Sequence, residues 1–357
     1  MDAMRFMLQK RRNGMRYAGI PSFCTANDLV IEACLKQAMR FDDYVLLEAT
    51  ANQVNQFGGY TGMQPADYRD FVYQIADGIG FPKDKIILGG DHLGPLTWQD
   101  ESEKDAMEKS VDLVKLFVLA GFKKIHLDTS MRVADDPKNQ VLSDETIARR
   151  GAILYEACEE AYQELLRENL DEVRPAFIIG SEVPIPGGAQ EAEDSIQVTS
   201  PEAVEQTMHV YQEQFEKRGL KDAFSNIIGI VVQPGVEFGD ADIFHYDRVK
   251  DSQLTKAMKK YDNIVLEGHS TDYQSPEELR EMVEDGIAIL KVGPALTFSL
   301  REGLFALSMM EKLLIPEGKQ AGFIEVMEEI MTQNPDNWKK HYHGSNEQLA
   351  IKRKYSF

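Results

Sequence analysis

Sulfur chemistry is nearly absent from this chain: it has three cysteines (Cys24, Cys34 and Cys158) among 357 residues, and no CxxC pair. So few cysteines, odd in number, exclude a disulfide framework, argue against a thiolate zinc site and suit a reducing cytoplasm. Long apolar runs are missing too. No stretch approaches the roughly 20 residues that span a bilayer. The opening "MDAMRFMLQKRRNG" has basic residues but no apolar region after them, unlike a secretory signal. We therefore expect a soluble, cytoplasmic protein. Positive charge is scarce as well: 39 basic against 59 acidic residues give a net charge of −20 and a pI near 4.8. That balance argues against nucleic acid or an anionic membrane as a partner. It leaves an anionic small substrate open, because a phosphate reads only its local pocket.

What the sequence does contain is a steady alternation, with 43% apolar residues to build a core. Eight β-prone runs begin near Tyr17, Tyr44, Lys85, Lys123, Ala176, Asn226, Asn263 and Ala288, and an amphipathic stretch follows each. The runs are continuously apolar rather than alternating, as parallel strands covered on both faces should be. Several of the helical stretches open on good caps, such as Ser200-Pro201-Glu202 and Ser275-Pro276-Glu277. Eight repeats of this kind predict an α/β fold, a (β/α)₈ TIM barrel over residues 1–315. Residues 316–357 read as a helical C-terminal extension packed on the barrel or on a partner subunit. Its Trp338 and Tyr342 suggest an oligomer, since exposed aromatics usually find a partner.

Catalytic groups of such barrels stand at the C-terminal strand ends. Those ends carry Cys24, Asn27, Glu48, Asn52, Gln53, Asp91, His92, His126, Asp128, Glu182, Gln233, His269, Ser270, Thr271 and Lys291. Three of the seven histidines fall there. Taken singly, each has a plain reading, since a histidine ending an apolar run is more often a satisfied buried group and an aspartate opening a loop is often a helix cap. Taken together they converge on one mouth. His92, His269 and Glu182 are expected to ligate Zn²⁺ or a related divalent ion (Mn, Co or Ni), with Gln233 a candidate fourth ligand. His126 reads equally well as a hydrogen-bonding wall residue. Asp91, with Glu48 or Asp128, would move protons. The Gly/Pro-rich turn around Gly187 and Gly188 can wrap a substrate with its N–H groups. The runs holding Gly268, Ser270 and Thr271, then Lys291, Gly293 and Thr297, sit after strands seven and eight, where barrels usually bind phosphate. In "ILGGDHLGP", Gly89 and Gly90 are expected to turn the backbone so that Asp91 and His92 both reach the mouth.

The stretches "LEATANQVNQFGGYTGM", "GGDHLGP", "KIHLD", "EVPIPGG", "VVQPGVEF", "HSTDYQ" and "ILKVGPALTF" resemble the Z-subunit family of tagatose-1,6-bisphosphate aldolase, a relative of the class II aldolases. The likeness runs from about Tyr17 to Phe357, and it implies further residues after "KYSF". The resemblance implies a zinc-dependent aldolase-type barrel, with Asp91 as a proton-transfer residue and His92, Glu182 and His269 on the metal. Catalytic relatives place a histidine where this chain has Gln233, a departure that bears on aldolase activity. Three functions follow as expectations. One is metal-dependent C4 epimerisation of a ketose or ketose phosphate (tagatose and fructose or their 6-phosphates). The second is a non-catalytic subunit stabilising a catalytic Y subunit in a hetero-oligomer. The third is an aldolase that releases trioses.

Overall fold

A computed structural model of the chain describes residues 3–138, 140–181, 196–239, 242–339 and 341–354. Eight parallel strands close into a barrel: β1 (Ile20–Cys24), β2 (Val45–Thr50), β3 (Ile86–Leu93), β4 (Lys124–Leu127), β5 (Ala176–Ile179), β6 (Ile227–Val232), β7 (Val265–Gly268) and β8 (Ile287–Val292). Each pairs with the next in sequence, and β8 returns to β1 with Ile20 opposite Ile289. Outside them lie α2 (Asp28–Phe41), α3 (Pro65–Ile79), α4 (Glu103–Leu119), α5 (Asp144–Glu168), α6 (Pro201–Lys217), α7 (Arg248–Met258), α8 (Pro276–Asp285) and α9 (Pro294–Leu314). The expected (β/α)₈ barrel is the fold observed. Serine caps at Ser102, Ser143, Ser200 and Ser275 each accept an N–H of the first helical turn, which fixes where the chain leaves the mouth.

Inside the barrel, the two-residue period of a strand sorts side chains into levels. The lowest is apolar: Leu46, Ile87, Ile178, Val265 and Ile289. A helix that sequence reading did not anticipate, α1 (Ala3–Arg12), plugs it from below with Met4, Met7 and Leu8. Their i, i+3, i+4 spacing is the apolar stripe of one helix face. Two residues above Leu46 comes Glu48, two above Val265 comes Glu267 and two above Ile289 comes Lys291, joined by Lys124 of β4, all buried. The interior therefore changes from hydrocarbon to charge within one level.

Beyond the barrel, α10 (Phe323–Gln333) and α11 (Asn346–Lys354) pack on each other, and α10 packs on α9. Trp338 does not wait for a partner, contrary to the expectation above. It is buried, donates its indole N–H to the Met331 carbonyl at 2.5 Å and lies under the Arg353 guanidinium at 4.8 Å. No described helix is long and apolar enough to cross a membrane.

One buried acid stands apart from the mouth. Asp251 on α7 is inaccessible, its Oδ1 has no hydrogen-bond partner among the described residues, and it shares the Tyr246 hydroxyl (3.1 Å) with Asp285 (3.0 Å). One phenol proton cannot serve two carboxylates. Burial, aided by the charge of Asp285 and opposed by the Tyr246 hydrogen bond, pushes the Asp251 carboxyl up from 3.8 to about 7. A carboxyl raised on folding contributes stability that is complete below its unfolded pKa of about 3.9 and is lost as pH rises through about 7. Asp251→Asn cannot ionise. It should raise the melting temperature at pH 8, by up to about 4 kcal/mol of stability, and should flatten the decline between pH 4 and 8. An unchanged pH profile in thermal melts would rule this out.

Candidate metal centre at the barrel mouth

The mouth is assembled around an irregular strand end. Gly90 pairs with Ile125 and Leu93 with Leu127, so β3 carries one residue more than β4 between those pairs. This bulge breaks the alternation that would otherwise point Asp91 and His92 to opposite faces. The residue that turns is His92 itself, with φ of 48°, and not the glycines before it. A left-handed backbone costs a non-glycine residue roughly 1–3 kcal/mol. It is held by the His92 ring, whose Nδ1 lies 2.7 Å from Asp128 Oδ2. Gly89 and Gly90 have a different use from the one expected. A Cβ on Gly89 would strike the Glu48 carboxylate at 2.5 Å, and one on Gly90 would strike Leu93 and Phe117.

Four side chains then meet. One ligand-type atom from each of Asp91, His92, His126 and His269 lies within 4.8 Å of all the others, and all four residues are buried. The three imidazole centroids form a near-equilateral triangle of 5.1, 5.0 and 5.2 Å. Each ring turns one nitrogen to a carboxylate: His92 Nδ1 to Asp128, His126 Nδ1 to Asp91 Oδ1 at 2.9 Å, and His269 Nε2 to Glu267 Oε1 at 3.0 Å. That leaves His126 Nε2, His269 Nδ1 and His92 Nε2, the last 3.5 Å from Asp91 Oδ2. His126 Nε2 is buried with no hydrogen-bond partner among the described residues. Carboxylates that orient the distal nitrogen of metal-binding histidines are the usual support of such sites.

Electrostatics agree with a cation. Burial, helped by the nearby His92 and opposed by Glu267, pulls the His269 imidazole down to about 4, so at neutral pH it offers a lone pair. Burial also disfavours charge on His92, but Asp91 and Asp128 outweigh it and its pKa rises. The anions that favour a proton there favour a metal equally. Asp91 is held well below the ordinary carboxylate range: burial opposes this, and His92, Lys291 and His126 overcome it. Below the triangle, Lys124 bridges Glu48 Oε1 (2.7 Å) and Glu267 Oε2 (2.8 Å), and Lys291 bridges Glu48 Oε2 (2.5 Å) and Asp91 Oδ2 (2.6 Å). Four buried carboxylates (Glu48, Asp91, Asp128, Glu267) thus face two ammonium groups. With the imidazoles neutral, the deficit is the charge of one divalent ion. The donor set, imidazole with carboxylate, suits Zn²⁺ and its first-row neighbours.

The sequence-derived residues divide accordingly. His92 and His269 meet as expected, and His126, read as a wall residue, completes the triangle. Gln233 stands aside: its amide oxygen accepts the Gly235 N–H at 2.8 Å and closes its own turn. Glu182, Gly187 and Gly188 lie outside the described residues. Glu48 and Asp128, like Asp91, are held by neighbouring groups. Glu48 is clamped between two lysines, where removing one member of a buried pair costs about 3–5 kcal/mol. Asp128 holds His92 on one oxygen and accepts the Ser130 N–H (3.0 Å) and hydroxyl (2.6 Å) on the other.

The expected phosphate amides are also engaged. Asp272 Oδ1 accepts the N–H groups of Gly293 (3.1 Å) and Ala295 (2.7 Å), an internal anion at the start of α9. Thr271 donates its hydroxyl to the Lys291 carbonyl at 2.7 Å, and Ser270 turns with φ of 53°. Gly268 is a packing position, where a Cβ would meet Ile287 at 2.8 Å. Thr297 is half-buried in the first turn of α9. At the other rim, exposed Asn52 accepts from Thr97 (3.0 Å), and Gln53 accepts the Thr50 N–H (2.9 Å) beside Cys24. Sequence reading overlooked Lys124, Glu267 and Asp272. A charge inside an apolar strand run was the available signal for the first two.

Fold and site together define a (β/α)₈ barrel with a buried histidine–carboxylate centre at its C-terminal mouth. Residues 4–357 match the model of the family described as D-tagatose-1,6-bisphosphate aldolase subunit GatZ/KbaZ-like, and the chain belongs to that family. It is 46% identical to a probable tagatose 6 phosphate kinase from Sinorhizobium meliloti, covering 95% of this chain and 81% of that one with a TM-score of 0.84. A fructose-bisphosphate aldolase from Campylobacter jejuni shares the fold at 15% identity and a TM-score of 0.52, covering 88% of this chain and 81% of that one.

Proposed function

We propose that this chain performs divalent-metal-dependent aldol-type chemistry on a ketose or ketose phosphate, and that the reaction is C4 epimerisation. The observation that carries the reading is the imidazole triangle with Asp91 beside it and four buried carboxylates facing two ammonium groups. His92, His126 and His269 would hold the ion, which when bound polarises the sugar's carbonyl and adjacent hydroxyl. Asp91 takes the C4 hydroxyl proton as the C3–C4 bond opens, and returns it after the aldehyde fragment has presented its other face. Asp91 is the carboxylate grouped with the three imidazoles, so one carboxylate serves both directions. Lys291 keeps that carboxylate ionised and fixed.

The family description supports a second reading, a subunit that stabilises a catalytic aldolase partner, as well as assembly into oligomers. One assay separates the possibilities: purified chain with Zn²⁺, Mn²⁺, Co²⁺ or Ni²⁺, given fructose 6-phosphate, tagatose 6-phosphate or the free sugars. Interconversion is the expected result. Triose release would replace epimerisation by cleavage. Silence under every metal, relieved only by a Y-type barrel, would overturn the catalytic reading.

A further inference from the structure

The opposite end of the barrel holds a cluster of guanidinium groups. In a chain where acids outnumber bases 59 to 39, many guanidinium groups have found carboxylates: Arg149 and Arg150 bind Glu103, Arg248 binds Glu281, Glu284 and Asp285, and Arg280 binds Glu277 and Glu284. Arg11, Arg12 and Arg16 make no ion pair among the described residues. Arg11, at the end of α1, donates from Nη1 to the carbonyls of Arg16 (2.6 Å), Ala18 (2.8 Å) and Val283 (2.9 Å). Arg12 donates from Nε to the Asp262 carbonyl (2.8 Å) and from Nη2 to the Asn263 amide oxygen, again neutral partners. Burial first, and then the like charge of Arg16, lower the basicity of Arg11; no anion offsets them. The negative end of the α1 dipole accounts for basic residues at positions 10 to 12. It does not account for Arg16, which lies past the helix and adds a third guanidinium to the cluster.

These three residues and Lys259 line a cavity of about 190 Å³ between α1, α7 and the first residues of β7. Its carboxylates are Asp262, Glu284 and Asp285, and the last two are already bound to Arg248. The volume falls below the roughly 300–1,000 Å³ of pockets that take drug-sized ligands. It suits a phosphate group bearing few other atoms. Guanidinium forks match phosphate oxygens bidentately, and charge-assisted bonds of this kind are the strong ones.

We propose that this basal cavity is an anion site for phosphate or a small phosphorylated metabolite, separate from the mouth. Pyrophosphate and inorganic phosphate are the probes, titrated calorimetrically into the metal-loaded wild-type chain. We expect one-to-one binding at the base. Arg12→Ala/Arg16→Ala changes two exposed residues and should leave the melting temperature of the free protein in place while weakening that binding tenfold or more. Arg12→Lys/Arg16→Lys should restore part of it. His126→Ala, which empties the metal centre at the other end of the barrel, should leave it intact. The site is refuted if neither probe binds at millimolar concentration, or if the double alanine variant binds as the wild type does. It is refuted equally if binding is lost in His126→Ala but not in the arginine variants, which would place the anion at the mouth.

Discussion

His126→Ala should abolish tight divalent-metal binding while leaving the barrel folded. Sequence position alone gave His126 no priority, whereas the structure makes it one corner of a triangle with its Nε2 buried and without a partner among the described residues. Losing a residue that merely supports a metal ligand costs about 10–100-fold in affinity, and a direct ligand should cost more. Gln233→Ala is the matched control, because the amide oxygen of Gln233 serves the Gly235 N–H. A zinc competition titration on both variants, with circular dichroism and melting temperature to confirm folding, decides between the two ligand sets. Retention of full affinity in His126→Ala, or its loss in Gln233→Ala, would return the centre to the set read from sequence.

Why the barrel was legible and the centre only partly so has a physical answer. Parallel strands must be apolar on both faces, and helix caps such as Ser200 and Ser275 act through their nearest neighbours, so both leave local marks. The α1 plug left a mark too, in Met4, Met7 and Leu8, but a single helical stripe does not say which surface it covers. Lys124, Glu48 and Glu267 stand in different strands, and only closure of the barrel sets them face to face. The same holds for Asp272, which looks like a loop acid until α9 begins beside it. Trp338 misled for a related reason. Its burial depends on Met331 and Arg353, which approach it only after α10 and α11 fold back.

Asp91→Asn should separate metal binding from turnover. In the native site Asp91 is engaged on both oxygens, Oδ1 with the His126 ring and Oδ2 with the Lys291 ammonium, the Cys24 thiol (3.8 Å) and His92 Nε2 (3.5 Å). Asparagine can keep one by offering its oxygen, but its amide group cannot take a proton from a sugar hydroxyl. Loss of an acid/base group typically costs about 10²- to 10⁴-fold in rate. We therefore expect kcat for ketose phosphate interconversion to fall by that factor with KM little changed. Zinc affinity should decline far less than in His126→Ala, because the three imidazoles remain. The pairing of the two variants is informative: one loses the metal and so loses the reaction, the other keeps the metal and still loses it. If Asp91→Asn turns over near the native rate with its metal bound, Asp91 only orients His126, and the bulge that brings Asp91 and His92 to one mouth serves metal binding alone.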